Sequence, residues 1–115
     1  MKIVTVVNAK TDAVVCERVE VAKNPWTRLR GLLGRRGLEP GHGMLFIPAG
    51  SIHSAFMRFE FDAVFLDGQM RVVGLAERIP PWRMRGARGA KRTLELSAGQ
   101  ITSRGLQVGD ELAVK

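Results

Sequence analysis

A single cysteine, Cys16, is all the thiol this 115-residue chain carries. One thiol excludes an internal disulfide and a thiolate cluster for zinc, and it fits a reducing compartment. No apolar run reaches the roughly 18 residues that a membrane span requires. The opening MKIVTVVNAKTDAVV is broken by Asn8, Lys10 and Asp12, too early for the apolar core of a signal peptide. The expected location is therefore cytoplasmic. Linkers, internal repeats and low-complexity tracts are also missing, so residues 1–115 are expected to form one domain. Acidic charge is scarce: 11 Asp and Glu stand against 18 Lys and Arg, for a net charge of +7 and a pI near 10.8. Such an excess has two readings, a solvated basic surface or a face that meets an anionic partner. Arginine outnumbers lysine 13 to 5, a bias that GC-rich coding alone produces.

What is present begins with strand patterns. Lys2–Asn8 and Ala13–Val21 alternate apolar and polar residues around the turn Asn8–Asp12, which predicts an antiparallel hairpin. Cys16 lies on it as a small core residue. Asn24 and Pro25 open a helix predicted over 25–36, with Trp26, Leu29, Leu32 and Leu33 on one face and arginines on the remainder. Its Gly31-x-x-Gly34-x-x-Gly37 spacing lacks the preceding strand and the lysine of a phosphate loop. Met44–Ile47 reads as a short strand. Phe61–Leu66 and Gln69–Ile79 flank Asp67-Gly68, a strong hairpin signal. Thr93–Leu96 and Glu111–Val114 add strands, with a short second helix expected over 97–104. Mostly strands with one or two helices argue an α+β, mainly β domain with a barrel-like sheet, not a parallel α/β sheet.

Two stretches carry chemistry. Ser51–Asp67 sets His53, Met57, Arg58, Asp62 and Asp67 in an otherwise apolar run, and ionisable groups entering a buried element must be paired or functional. Its first part, Ser51–Phe59, reads as an irregular or extended lead-in. Arg58 offers a bidentate fork that Asp62 is placed to hold, with His53 hydrogen-bonded beside them, in a structural network or a ligand site. The ligand-site reading takes His53, Met57, Arg58 and Asp62 as binding residues for an anionic small group or an acidic partner segment. A hydrolytic reading takes His53 as general base, but Ser51 and Ser54 flank it without a glycine-framed elbow. His42, Met44, His53 and Met57 form a soft-metal set on paper, yet methionine is ordinarily core filler, so no metal or cofactor is expected. Asp67 and Asp110 read as turn residues. The second stretch, Pro81–Arg92, sets Arg83, Arg85, Arg88, Lys91 and Arg92 around Trp82 and Met84. It reads as a surface crossover, as a loop that steers an anion, or as a nucleic-acid contact through Trp82 and the arginines.

These residues also make a pattern. Gly43-Met44-Leu45-Phe46, Ser51-Ile52-His53, Phe56-Met57-Arg58, Asp62-Ala63-Val64-Phe65-Leu66-Asp67, Val72-Val73, Leu94-Glu95-Leu96, Ala98-Gly99 and Gly105-x-x-x-Gly109-Asp110 occur in that order. From about Arg28 to its C-terminus the chain thereby resembles the bacterial and archaeal family called domain of unknown function 192. Within it, the chain resembles the subgroup with the Ile-His and Met-Arg motifs. It departs at Glu60 and Phe61, where proline and isoleucine or leucine are usual. The resemblance implies a small, strongly curved, barrel-like domain with one helix against it. It implies no activity.

Overall fold

The computed structural model describes residues 2–23, 37–54 and 57–115. The helix predicted over 25–36 lies outside the described residues. The described strands are β1 (Lys2–Asn8), β2 (Val14–Ala22), β3 (His42–Phe46), β4 (Ser51–His53), β5 (Phe61–Leu66), β6 (Val72–Ile79), β7 (Met84–Gly86), β8 (Arg92–Ser97) and β9 (Leu112–Val114). A short helix, α1 (Gln100–Ser103), falls inside the predicted 97–104 and starts at Gly99, whose φ of 90° is left-handed.

Seven strands form one sheet in the order β6-β5-β8-β3-β2-β1-β9. β1 and β2 make the expected antiparallel hairpin, with Asn8 Oδ1 accepting the Lys10 and Thr11 N–H groups at 2.9 and 3.2 Å in the turn. β5 and β6 make the second hairpin. The β2–β3 pair is parallel, so the sheet is mixed. Its two edges meet: Arg71 bridges Glu111, Val72 N–H donates to Asp110 O at 2.8 Å, and Leu112 N–H to Met70 O at 2.9 Å. The result is a curled, barrel-like sheet of the α+β, mainly β kind.

Side-chain alternation along a strand sends neighbours to opposite faces. Both faces of the central strands are covered here, which explains why all six residues of β5 are buried. On one side Val4, Val6, Val19, Val64, Leu94, Leu96 and Ile101 fill the inside of the curl. On the other, Met44, Met57, Phe61, Ala63, Phe65 and Ile79 form a second cluster, with Ile52, Phe59, Ala87 and Ala90 packed onto it.

Two expectations need correction. Met84–Gly86 is a strand within what reads as a loop, and it pairs with Ser51–His53, the extended part of the lead-in. Three residues each are too few for alternation to announce them. The turn after β5 is also longer than Asp67-Gly68. Asp67 Oδ1 accepts both the Gln69 and the Arg71 N–H, at 2.8 and 2.9 Å, so β6 starts at Val72 and not at Gln69.

Candidate functional site

The ribbon of β4 and β7 lies over the second apolar cluster and joins the two stretches that the sequence sets 30 residues apart. His53 stands opposite Met84, Ile52 opposite Arg85 and Ser51 opposite Gly86. Ile52 packs inward on the cluster, while His53 and Met84 are exposed. A Cβ on Gly86 would sit 3.1 Å from Ser51 Cβ and 3.2 Å from Gly50 O, so glycine lets the two strands close.

Ser54 clamps this ribbon. It is fully buried, its hydroxyl donates to Pro80 O at 2.6 Å, and its Oγ accepts the Arg83 N–H at 2.8 Å. Its own N–H donates to Arg83 O at 2.8 Å, and its carbonyl accepts the Trp82 and Met57 N–H groups at 3.1 Å. Trp82 is held at φ 64°, a left-handed conformation that a bulky side chain rarely takes. Four bonds from one residue to Pro80–Arg83 keep it there. Sequence reasoning placed Ser54 only as a neighbour of His53; its buried role had no periodic signal. Because its hydroxyl is committed to Pro80, Ser54 is not available as a nucleophile for His53.

The basic segment is seated just as closely. Ala87 lies where a Cβ on Gly74 of β6 would be 2.5 Å from its own Cβ, and Ala90 O is 2.8 Å from the corresponding point on Gly50. Lys91 N–H donates to Leu66 O at 2.7 Å, and Thr93 Oγ1 donates to Ala49 O at 3.0 Å. The exposed cations rise from this seat. Arg83 and Arg85 each return one guanidinium N–H to the preceding carbonyl, Trp82 O at 3.2 Å and Met84 O at 2.8 Å. Among the described residues, no ion pair involves Arg58, Arg83, Arg85 or Arg88; the pairs are Arg71–Glu111, Arg104–Glu17, Lys115–Asp12 and His42–Glu39. Arg92 is set apart. It is half-buried at the start of β8 on the side of Leu94 and Leu96, and its charge helps lower the Asp67 carboxyl. The larger cause there is the hydrogen bond from the Arg71 N–H.

The predicted His53–Arg58–Asp62 grouping comes apart. Asp62 is fully buried and shares the Val64 side of β5, where its Oδ1 accepts the Arg78 N–H at 2.9 Å. Its Oδ2 accepts the Gly99 N–H at 3.1 Å and the Ile101 N–H at 2.9 Å. Among the described residues no ion pair joins it to Arg58, which is exposed. The local reason is that three main-chain donors left over by a positive-φ bend at Arg78 and by the start of α1 satisfy the carboxylate fully. Met57, 8% exposed, is core filler in the second cluster. His42 lies exposed 4.0 Å from Glu39, and among the described residues no cluster of three His, Cys, Asp or Glu is placed to hold a metal.

One buried carboxyl escaped sequence reasoning altogether. Glu95 of β8 is 5% exposed, stands opposite Met44 and Ala63, and faces the second apolar cluster. Burial pushes it up to about 8, so at neutral pH it is mostly protonated. Alternation of Leu94-Glu95-Leu96 looks like a half-exposed strand, and only the covered second face reveals otherwise.

The geometry defines a small, basic β domain with a curled sheet and a clamped cationic ribbon on its outer face. The chain belongs to the DUF192 family, described as an uncharacterized ACR, whose model matches residues 5–114. It is similar to a UPF0127 protein of Thermococcus sibiricus, 34% identical over 92% of this chain and 71% of the relative. It is also similar to a UPF0127 protein of Pyrococcus abyssi, 31% identical over 83% of this chain and 84% of the relative. A crystal structure from Sinorhizobium meliloti, described as a candidate transcription regulator, superposes with a TM-score of 0.82 at 27% identity, covering 97% of this chain and 92% of that one. A protein of unknown function from Novosphingobium aromaticivorans shares the fold, with a TM-score of 0.81 at 24% identity over 96% of this chain and 83% of that one. Among the described residues no helix is long and apolar enough to cross a membrane.

Proposed function

We propose that this chain is a non-catalytic binding module that recognises an anionic partner at the exposed arginines around the β4–β7 ribbon. The observation that carries the reading is the set of exposed guanidiniums at Arg58, Arg83, Arg85 and Arg88, none in an ion pair among the described residues. Elsewhere on the same surface Arg71 and Arg104 are neutralised by carboxylates at 2.8 and 2.7 Å. Charge left open on a rigid support favours a partner over simple solvation, because its arginines are already oriented when the partner arrives. His53 on the ribbon adds an imidazole donor or acceptor. Asp62 has no part in recognition, since its oxygens are engaged inside the fold.

A calorimetric titration with heparin and with polyglutamate at low salt tests the reading. Arg58→Ala and Arg85→Ala are expected to weaken binding well beyond Lys10→Ala, a change of equal charge at the distant β1–β2 turn. Equal losses at all three positions would assign the binding to net charge alone and remove the site.

A further inference from the structure

We infer that Glu95 anchors a second site, one that takes an alkylammonium cation at the carboxyl in the second apolar cluster. This goes beyond the anion-binding reading and uses none of its arginines. A glutamate is almost never fully buried unless it is paired. Glu95 is 5% exposed and, among the described residues, makes no hydrogen bond and no ion pair. Asp62, the buried carboxylate of β5, has three main-chain donors. A buried carboxyl whose hydrogen-bonding capacity is unused calls for a partner that the fold does not supply.

The register says what surrounds it. Met44 of β3 and Ala63 of β5 stand directly opposite Glu95, one on each side. Phe46 and Phe65, both opposite Thr93, and Phe61, opposite Ser97, are one step further along the same face. Such diagonal neighbours lie about 7–8 Å away, within reach of an aromatic side chain. The carboxyl thus sits among three phenyl rings and a thioether, with Ala63 as the small member of the group. Ring faces, sulfur and carboxyl oxygen all favour positive charge. The ionisable residues nearest on this face are His42, exposed at the start of β3 opposite Arg18, and Glu20, beyond Met44 on β2. None of them acts on Glu95, which burial alone pushes up. Of this group, the little exposure left is at Phe46, Met57 and Glu95 itself, so the carboxyl lies on the approachable side and Phe61 and Phe65 on the sealed one. An inorganic cation would need several oxygen ligands where there is one carboxyl. An ammonium on a short alkyl chain matches both halves, its N–H groups to the carboxyl and its methylenes to the rings and Met44. On binding, the ammonium keeps its protons, Glu95 gives its own to the solvent, and an ion pair remains.

The test is calorimetric titration of the full chain with butylammonium at about pH 7, where an alkylamine is protonated. Butanol, butyrate and sodium chloride are run beside it. Butylammonium is expected to bind at least about tenfold tighter than butanol, the margin of one charge-assisted contact. In buffers of different ionisation enthalpy the titration should show about one proton released per ligand, because Glu95 is mostly protonated before binding and ionised after it. Glu95→Gln keeps the shape of the protonated acid; it should lose about tenfold or more in affinity, release no proton, and bind heparin as the parent does. A blocked tripeptide with a central lysine distinguishes two sources of the ammonium. Binding as tight as butylammonium or tighter assigns the site to a lysine of a partner chain, and weaker binding assigns it to a free amine. Equal affinity for butanol and butylammonium overturns the inference, and so does binding without proton release. Both are read on the parent protein, so they hold even if the variant fails to fold. No binding of butylammonium overturns it as well. None of these outcomes touches the ribbon, whose reading stands or falls with heparin and polyglutamate.

Discussion

Gly74 of β6 and Ala87 of the basic segment touch so closely that a Cβ on Gly74 would lie 2.5 Å from Ala87 Cβ. That contact seats the arginine-bearing ribbon on the sheet. Gly74→Ala must push Ala87 away or strain β6, and overpacking of this kind costs about 1–3 kcal/mol. Urea unfolding should show the loss, and Gly74→Ala should weaken heparin binding although it changes no charge. Unchanged binding would mean that the ribbon's position does not matter to the arginines.

Ser54→Ala removes the buried hydroxyl that bonds Pro80 O and Arg83 N–H. Each of those groups is then left without its side-chain partner, and the expected destabilisation is about 1–3 kcal/mol. Hydrogen exchange should localise it: the amides of Trp82 and Arg83 become faster while those of β5 do not. Uniform acceleration would show that Ser54 supports the whole fold and not the ribbon in particular.

Asp62 ties β5 to β6 and to α1 through three main-chain N–H groups. Asp62→Ala strands all three, at a cost of about 3 kcal/mol or more. Asp62→Asn is nearly the same shape but turns one acceptor into a donor facing N–H groups, so it too is expected to destabilise. A melting temperature for Asp62→Asn within a degree of the parent would contradict this account.

Stability should depend on pH through Glu95. Its folded value, about 8, lies above its ordinary 4.5, so the folded state binds the proton more tightly than the unfolded chain. The contribution is fully present below pH 4.5, declines as pH rises towards 8, and is lost above it. Glu17, lowered by its hydrogen bond from Arg104, acts in the opposite sense on the acid side, weakly because it is exposed. Melting curves of the parent should therefore fall between about pH 5 and 8. Glu95→Gln should flatten that decline; an equally steep decline in the variant would clear Glu95 of the effect.

Cys16 is buried inside the curl, and burial pushes its thiol up to about 11. A thiol reagent at neutral pH is expected to label it only after denaturant unfolds the chain. Rapid labelling of the native protein would show that the β1–β2 hairpin opens.

Much of the fold was legible because its signals are local and periodic. The β1–β2 hairpin, β5, the Asp67 turn and β8 follow from alternation and turn chemistry within a few residues of themselves. The ribbon was not, since β4 and β7 are three residues each and are held by Ser54, whose partners lie 26 and 29 positions away. The site was half legible: the sequence singled out His53, Arg58 and the arginine-rich segment by their residue types. It misplaced Asp62, because a carboxylate four residues from an arginine looks like its partner until main-chain donors from two other elements are counted.

By itself the sequence determined the strand periods, the turns, the excess of arginine and the membership of a family, all properties of neighbouring residues or of composition. Only the tertiary structure decided that Asp62 turns inward, that Glu95 is covered on a face meant by its pattern to be half-open, and that Met84 stands exposed opposite His53. The reason is physical. Alternation fixes which side of a strand a residue takes, but what covers that side is set by packing between elements far apart in the chain.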